Sequence, residues 1–319
     1  MTFTVLATDR VSKRGLLPLK DDDRFVVVRA KDRAAPKFQA AIGRADALVV
    51  RSATKVDVAM LDLAPSLKVV GRAGVGVDNI DIAAATSRGI AVVNAPSGNT
   101  IAAAELTMAL LLSLVRNVTK ADRSIREGRW DRSSFEGSEL RGKTLGLIGA
   151  GRVGGEVAIR CQAFGMSVIV YDPYLAETRA EELGVQLVSL DEVVEGADVI
   201  SLHVPLNDET RGLIGGDAFE VMKKRVYLVN ASRGGVIDEA ALAVALHEGR
   251  VAGAALDVYD REPLPEDSPL RDAPNLILTP HLGASTREAQ VSVAREVALA
   301  IRDVLVDRDL SAAVNAPDL

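Results

Sequence analysis

His281, Glu262 and Arg233 are residues whose types suit a single reaction. His281 lies in TPHLGAST, Glu262 in LDVYDREP and Arg233 in NASRGGVID, each just after an apolar run that reads as a strand. In an open α/β sheet, ligands gather at the carboxyl ends of the strands, so three polar groups at three such ends point to one site. An alcohol that gives up hydride must also give up its hydroxyl proton, and an imidazole suits the base. The imidazolium formed needs a carboxylate beside it, the role that Glu262 can fill. The developing carbonyl and a neighbouring carboxylate need a fixed cation with planar donors, which suits Arg233. Taken singly, a loop histidine is usually a surface side chain, and Arg233 with Glu262 reads equally as a structural ion pair. His203, in ISLHVPL, reads as a strand-end residue near a cofactor, and His247, in LHEGR, as surface.

An acceptor for the hydride is implied by TLGLIGAGRVGGEVA, residues 144–158. An apolar strand runs into Gly149, Gly151 and Gly154 and then into a helix. The glycines permit a tight turn and close approach of backbone to a pyrophosphate at the helix N-terminus. Asp172 follows at the end of the next strand, SVIVYD, at the distance expected of the acid that bonds the adenosine ribose. A carboxylate there repels a 2'-phosphate, so the expected cofactor is NAD rather than NADP.

These residues need a frame. The 319 residues suffice for about two domains. The composition, 48% hydrophobic and 26% charged, is that of a globular chain. A net charge of -6 argues against nucleic acid or an anionic membrane as partner. The lone Cys161 excludes a disulfide framework and a multi-cysteine metal site, and its helical spacing with Val157 and Phe164 suggests burial. No signal peptide or membrane-length apolar run is evident, so the expected setting is cytoplasmic.

Val- and Ile-rich runs alternate with helical patterns throughout, which predicts parallel sheets covered on both faces. FTVLAT, FVVVRA, ALVVRS, LKVVGRAG and IAVVNAP form a first α/β set. A single long helix is expected from Asn99 to Arg129, leading into six or seven further strands from KTLGLIGAG to NLILTPH. A last helix from about residue 285 returns to the first set. The expected fold is therefore two doubly wound parallel-sheet domains, a Rossmann-type NAD domain (99–285) inserted into a flavodoxin-like substrate domain (1–98 and 286–319). In the first domain, glycines around Val75 in GRAGVGVDNI can shape a backbone anion cradle, and Arg51 follows a strand.

The blocks VRSATKVD, GRAGVGVDNID, VVNAPSGNT, AAELTMALLL, GKTLGLIGAGRVG, NASRGGVIDE, LDVYDREP and TPHLGAST stand in the order of the D-isomer-specific 2-hydroxyacid dehydrogenases, which the whole chain resembles. The resemblance implies catalytic roles for Arg233, Glu262 and His281. It implies NAD contacts at Gly149, Gly151, Arg152, Val153, Gly154, Asp172, His203, Val204, Thr210, Ala231, Asp257 and Gly283. Substrate contacts fall at Arg51, Ser52, Gly74, Val75, Asn99 and Arg132. Arg51 and Arg132 favour members acting on a phosphorylated acid over glyoxylate or hydroxypyruvate reductases, with an NADH-sensing corepressor as a remoter alternative. The expected partners are a small anionic 2-hydroxy or 2-oxo acid and a second or further copies of the chain, as dimer or tetramer. In such relatives the segment around Trp130 lies at the dimer interface and the arginine after it reaches the neighbouring active site. No metal is expected. Related chains often continue into serine-binding regulatory domains; this sequence stops at SAAVNAPDL, and no inhibition by serine is expected.

Overall fold

The computed structural model describes residues 2–319. The chain divides into two compact units, Met1–Thr100 with Ala284–Leu319, and Ile101–Gly283.

The first unit is built on five parallel strands: β1 (Phe3–Ala7), β2 (Phe25–Arg29), β3 (Ala47–Val50), β4 (Val69–Arg72) and β5 (Ala91–Asn94). Their order is β2-β1-β3-β4-β5. Both faces are apolar because both are covered. Val5, Val69 and Val93 meet Val293, Val297 and Ile301 of the helix Arg287–Arg302 on one face. Leu6, Leu48 and Val70 meet Phe38 and Met60 on the other. Gly71 lets that C-terminal helix come close, since a Cβ there would lie 2.4 Å from Val297 Cγ1. The strand order reverses between β1 and β3, which opens a crevice at their carboxyl ends.

The second unit carries seven parallel strands: β6 (Thr144–Ile148), β7 (Ser167–Tyr171), β8 (Gln186–Leu187), β9 (Val199–Leu202), β10 (Val226–Asn230), β11 (Val251–Leu256) and β12 (Leu276–Leu278). The order β12-β11-β10-β9-β6-β7-β8 reverses between β6 and β9. Helix Arg152–Ala163 buries Val157, Ala158 and Cys161 against Leu145, Leu147 and Val168. Burial pushes the Cys161 thiol up to about 12.

Two expectations are corrected. The helix from Asn99 to Arg129 is two helices, Thr100–Val115 and Val118–Arg126, bent by 63°. Asn117 sits between them in the left-handed region (φ 55°), and its amide donates to the Glu136 carbonyl at 3.1 Å. Asparagine tolerates that conformation better than most residues, whereas hydrophobic spacing carries no mark of a break. The run VQLVSL keeps only Gln186–Leu187 as strand, because Ser189 and Glu192 form a capping box that starts the helix Leu190–Gly196.

Candidate active site

β10, β11 and β12 are neighbours in the second sheet, and Arg233, Glu262 and His281 each follow one of them. His281 Nδ1 lies 2.7 Å from Glu262 Oε2. The other carboxylate oxygen, Oε1, accepts the Tyr259 N–H at 3.2 Å. Burial alone would raise the pKa of Glu262. The His281 hydrogen bond and charge, the Tyr259 N–H and the Arg233 charge outweigh it, so the carboxyl titrates below its ordinary range. A ring that donates Nδ1–H to this carboxylate keeps Nε2 free to exchange a proton.

The Arg233 loop is fastened at its base. Asn230, 2% exposed, donates to the Arg233 carbonyl at 2.8 Å and accepts from the Ser232 N–H and hydroxyl. Arg233 Nη1 donates to the Ser232 carbonyl. Next to it, Gly234 lies directly on the Glu262 loop; a Cβ there would fall 1.8 Å from the Tyr259 carbonyl oxygen.

Asp257, fully buried, organises the turn that carries His281. Its Oδ1 accepts from Thr279 Oγ1 at 2.6 Å and Leu282 N at 2.7 Å, and its Oδ2 from Gly283 N at 2.8 Å. The family resemblance implies an NAD contact at Asp257, and the carboxylate oxygens of Asp257 meet the turn. Gly283 takes part through its N–H.

The glycines of the β6–helix turn divide their work. Gly149 has φ 87°, and a Cβ on it would lie 2.6 Å from the His203 carbonyl oxygen and 2.8 Å from Val204 Cγ1. A Cβ on Gly154 would lie 2.1 Å from the Gly149 oxygen. Gly151, which precedes the helix Arg152–Ala163, faces nothing within 4 Å. Two glycines thus allow tight backbone packing at the β6–β9 reversal, and the third leaves space at a helix N-terminus. Asp172 braces the turn, with Oδ2 accepting from Ala150 N at 2.9 Å and Oδ1 from Tyr174 N at 3.0 Å. His203 Nε2 lies 2.8 Å from Ser201 Oγ, and burial lowers its pKa to about 4, so the ring is neutral at working pH. These residues fit a dinucleotide: an open helix N-terminus for the pyrophosphate and an acid for the ribose. Arg152 is exposed and Val153 half-buried in the first turn of that helix. Thr210 Oγ1 donates to the Pro205 carbonyl at 2.6 Å and accepts the Asn207 N–H at 2.9 Å, closing the loop after β9. Ala231 is half-buried after β10.

The first unit holds Arg51 and Ser52 after β3, and Gly74 and Val75 after β4. Asn94, at the end of β5, donates to the Val75 carbonyl at 2.5 Å. Asn99 is half-buried, and its Oδ1 is a buried acceptor with no hydrogen-bond partner among the described residues. Arg132 opens a short turn, Arg132–Phe135, in the second unit and is exposed. His247 is exposed, with Nδ1 2.8 Å from the Ala243 carbonyl. Several contributors were not singled out in the sequence: Asn230, and in the first unit Asp9, Asn79 and Asn94. Asn230, Asn79 and Asn94 stand inside the blocks NASRGGVIDE, GRAGVGVDNID and VVNAPSGNT, whereas Asp9 had only its position just beyond an apolar run.

Among the described residues no group of three or more His, Cys, Asp or Glu side chains could hold a metal ion, and no single helix is long and apolar enough to cross a membrane. A cavity of about 980 Å³ lies in the second unit, lined by Arg123, Arg129, Phe135, Arg225 and Arg271 among others. It contains none of the three residues Arg233, Glu262 and His281.

A parallel sheet with a glycine-rich turn at its reversal point, and a histidine–carboxylate pair with an arginine along its edge, is the framework of the nucleotide-dependent dehydrogenases. The NAD binding domain model of the D-isomer specific 2-hydroxyacid dehydrogenases matches residues 108–283, more than half of the chain, and the chain belongs to that family. It is 53% identical over 287 residues to a D-3-phosphoglycerate dehydrogenase of Archaeoglobus fulgidus, covering 90% of this chain and 53% of that protein. With the enzyme of the same name from Bacillus subtilis it shares 49% over 315 residues, 99% of this chain and 59% of the relative. The chain thus spans about half the length of the curated relatives it matches. The TT0316 protein of Thermus thermophilus has the same fold, with a TM-score of 0.87 and 35% identity over 98% of this chain and 100% of that one.

Proposed function

We propose that this chain oxidises 3-phospho-D-glycerate to 3-phosphohydroxypyruvate, the first step of serine biosynthesis, in the cytoplasm. The observation that carries the reading is the 2.7 Å contact between His281 Nδ1 and Glu262 Oε2, at the edge of a sheet with a dinucleotide turn at its centre. Bound NAD supplies the acceptor for the C2 hydride. His281 Nε2 takes the C2 hydroxyl proton, and the Glu262 carboxylate stabilises the imidazolium that results. Arg233 holds the substrate carboxylate and polarises the C2 oxygen. Gly151 admits the pyrophosphate at the helix N-terminus, on a turn whose close packing Gly149 and Gly154 allow, and Asp172 selects NAD over NADP. In the first unit, Arg51 binds the phosphate, while the Gly74–Val75 backbone and Asn99 meet the carboxylate end. The names of the closely similar relatives support this substrate.

Trp130 is 80% exposed, an unusual state for a side chain of that size, and the groove nearby includes Arg129 and Phe135. The reading therefore includes self-association through this segment, with Arg132 of one copy serving the substrate of another. Trp130→Glu is expected to shift the sedimentation coefficient to that of a single chain.

The decisive experiment follows NADH absorbance with phosphohydroxypyruvate, hydroxypyruvate and glyoxylate in parallel. A preference for the phosphorylated acid, lost in Arg51→Ala, supports the proposal. Equal or faster turnover of glyoxylate moves the chain to the reductase branch of the family.

A further inference from the structure

Asp9 follows β1 and Arg51 follows β3, the two strands between which the order of the first sheet reverses. Asp9 and its neighbour Arg10 both have φ 54°, two consecutive non-glycine residues in the left-handed region. Such a conformation persists only where surrounding contacts enforce it, and it marks places worth a functional question. Here the contacts are specific. Asp9 Oδ2 accepts the backbone N–H groups of Arg51 at 2.8 Å and Thr54 at 3.0 Å, and its Oδ1 accepts the Thr54 hydroxyl at 2.5 Å. From the other side, the Asn79 side-chain amide donates to the carbonyl oxygens of the same two residues, at 2.8 and 2.6 Å. Thr54, 4% exposed, is also in contact with buried Thr8 through their hydroxyls at 3.2 Å.

The segment Arg51–Thr54 is therefore held at both ends and through both kinds of backbone group. It belongs to no strand or helix, and without these side chains nothing in the regular structure would fix it. We infer that Asp9 and Asn79 are positioning residues that pre-set Arg51 for a phosphate-bearing substrate. An arginine fork contributes most when its backbone is already in place, because the ordering cost is then met during folding and not on binding. Asp9 also lends its negative charge to the Arg51 guanidinium, partly opposing the desolvation that lowers the arginine's pKa. The inference rests on the phosphate-binding role proposed above for Arg51.

The test measures kcat and KM for phosphohydroxypyruvate and for hydroxypyruvate in wild type, Arg51→Ala, Asp9→Ala, Asp9→Asn and Asn79→Ala. Asp9→Ala is expected to raise KM for the phosphorylated acid about tenfold, with kcat and the hydroxypyruvate KM changing less than about twofold. Asp9→Asn retains one carbonyl acceptor and recovers part of that loss. Should Asp9→Ala fail to fold, Asn79→Ala carries the same expectation at a smaller magnitude. Equal losses on both substrates, or an unchanged KM ratio, overturn the inference while the Arg51 role stands. A wild type indifferent to the phosphate, or an Arg51→Ala that keeps the preference, removes the underlying reading and the inference with it.

Discussion

His281 Nδ1 and Glu262 Oε2 stand 2.7 Å apart although each comes from a different loop, 19 residues apart in the chain. The pair exists because β11 and β12 are parallel neighbours, so the loops beyond them leave the sheet side by side. Glu262→Gln preserves the shape but removes the charge. The variant is expected to lose about 100-fold in kcat, with KM little changed, by steady-state NADH absorbance. Folding lowers the Glu262 pKa, so its contribution is complete above the unfolded value of 4.5 and disappears as pH falls through the lower folded value. The stability that Glu262 contributes is accordingly expected to persist through mild acid and to decline only below about pH 4.5, by urea midpoints of wild type and Glu262→Gln.

Asp257 holds the turn carrying His281 through three hydrogen bonds from Thr279, Leu282 and Gly283. Asp257→Ala strands two backbone N–H groups and a hydroxyl in a buried site. A loss of about 3 kcal/mol is expected, together with a fall in kcat, from urea unfolding and kinetics measured on the same preparation. Unchanged stability would contradict the structural role assigned to this carboxylate.

Two glycines of one turn should fail in different ways. Gly154→Ala drives a Cβ to 2.1 Å from the Gly149 carbonyl oxygen, so the backbone must move and the melting temperature is expected to fall. Apart from its two chain neighbours, Gly151→Ala meets no atom of the described residues within 4 Å. It is expected to leave the melting temperature within roughly a degree, while raising the Kd for NADH at least about tenfold, because the methyl would intrude where the pyrophosphate is proposed to approach.

His203 provides a pH test. Burial holds its pKa at about 4 against 6.5 for a free imidazole. The unfolded chain therefore binds the extra proton between those values; stability from this group is complete above pH 6.5 and is lost as pH falls towards 4. The expected loss near pH 5 is about 2 kcal/mol relative to near pH 7.5. Comparing urea midpoints of wild type and His203→Gln at both pH values isolates it, and an identical pH dependence in the two proteins would exclude the assignment.

Cys161 is fully buried, with its thiol pushed up to about 12 and its sulfur 3.6 Å from Met108 Sδ. The native protein is expected to resist iodoacetamide at neutral pH and to react at one site after denaturation, by intact mass.

Much of this was written in contiguous stretches of sequence. Gly149, Gly151 and Gly154 announce their turn because strand, glycines and helix are consecutive, and the demands on them are local backbone geometry. Apolar runs alternating with helical patterns similarly dictated two covered parallel sheets, since a strand buried on both faces cannot carry polar alternation. Arg233, Glu262 and His281 could be named because each ends such a run. Tertiary structure decided the rest. Asp9 and Arg51 are 42 residues apart, and Asn79 lies a further 28 beyond Arg51. They meet only because the sheet places β1 and β4 on either side of β3. The break at Asn117 depends on a carbonyl offered by Glu136, which helical periodicity cannot foresee. Spacing along the chain encodes which elements form, but hydrogen bonds between loops depend on which strand ends become neighbours, and packing of the whole sheet settles that order.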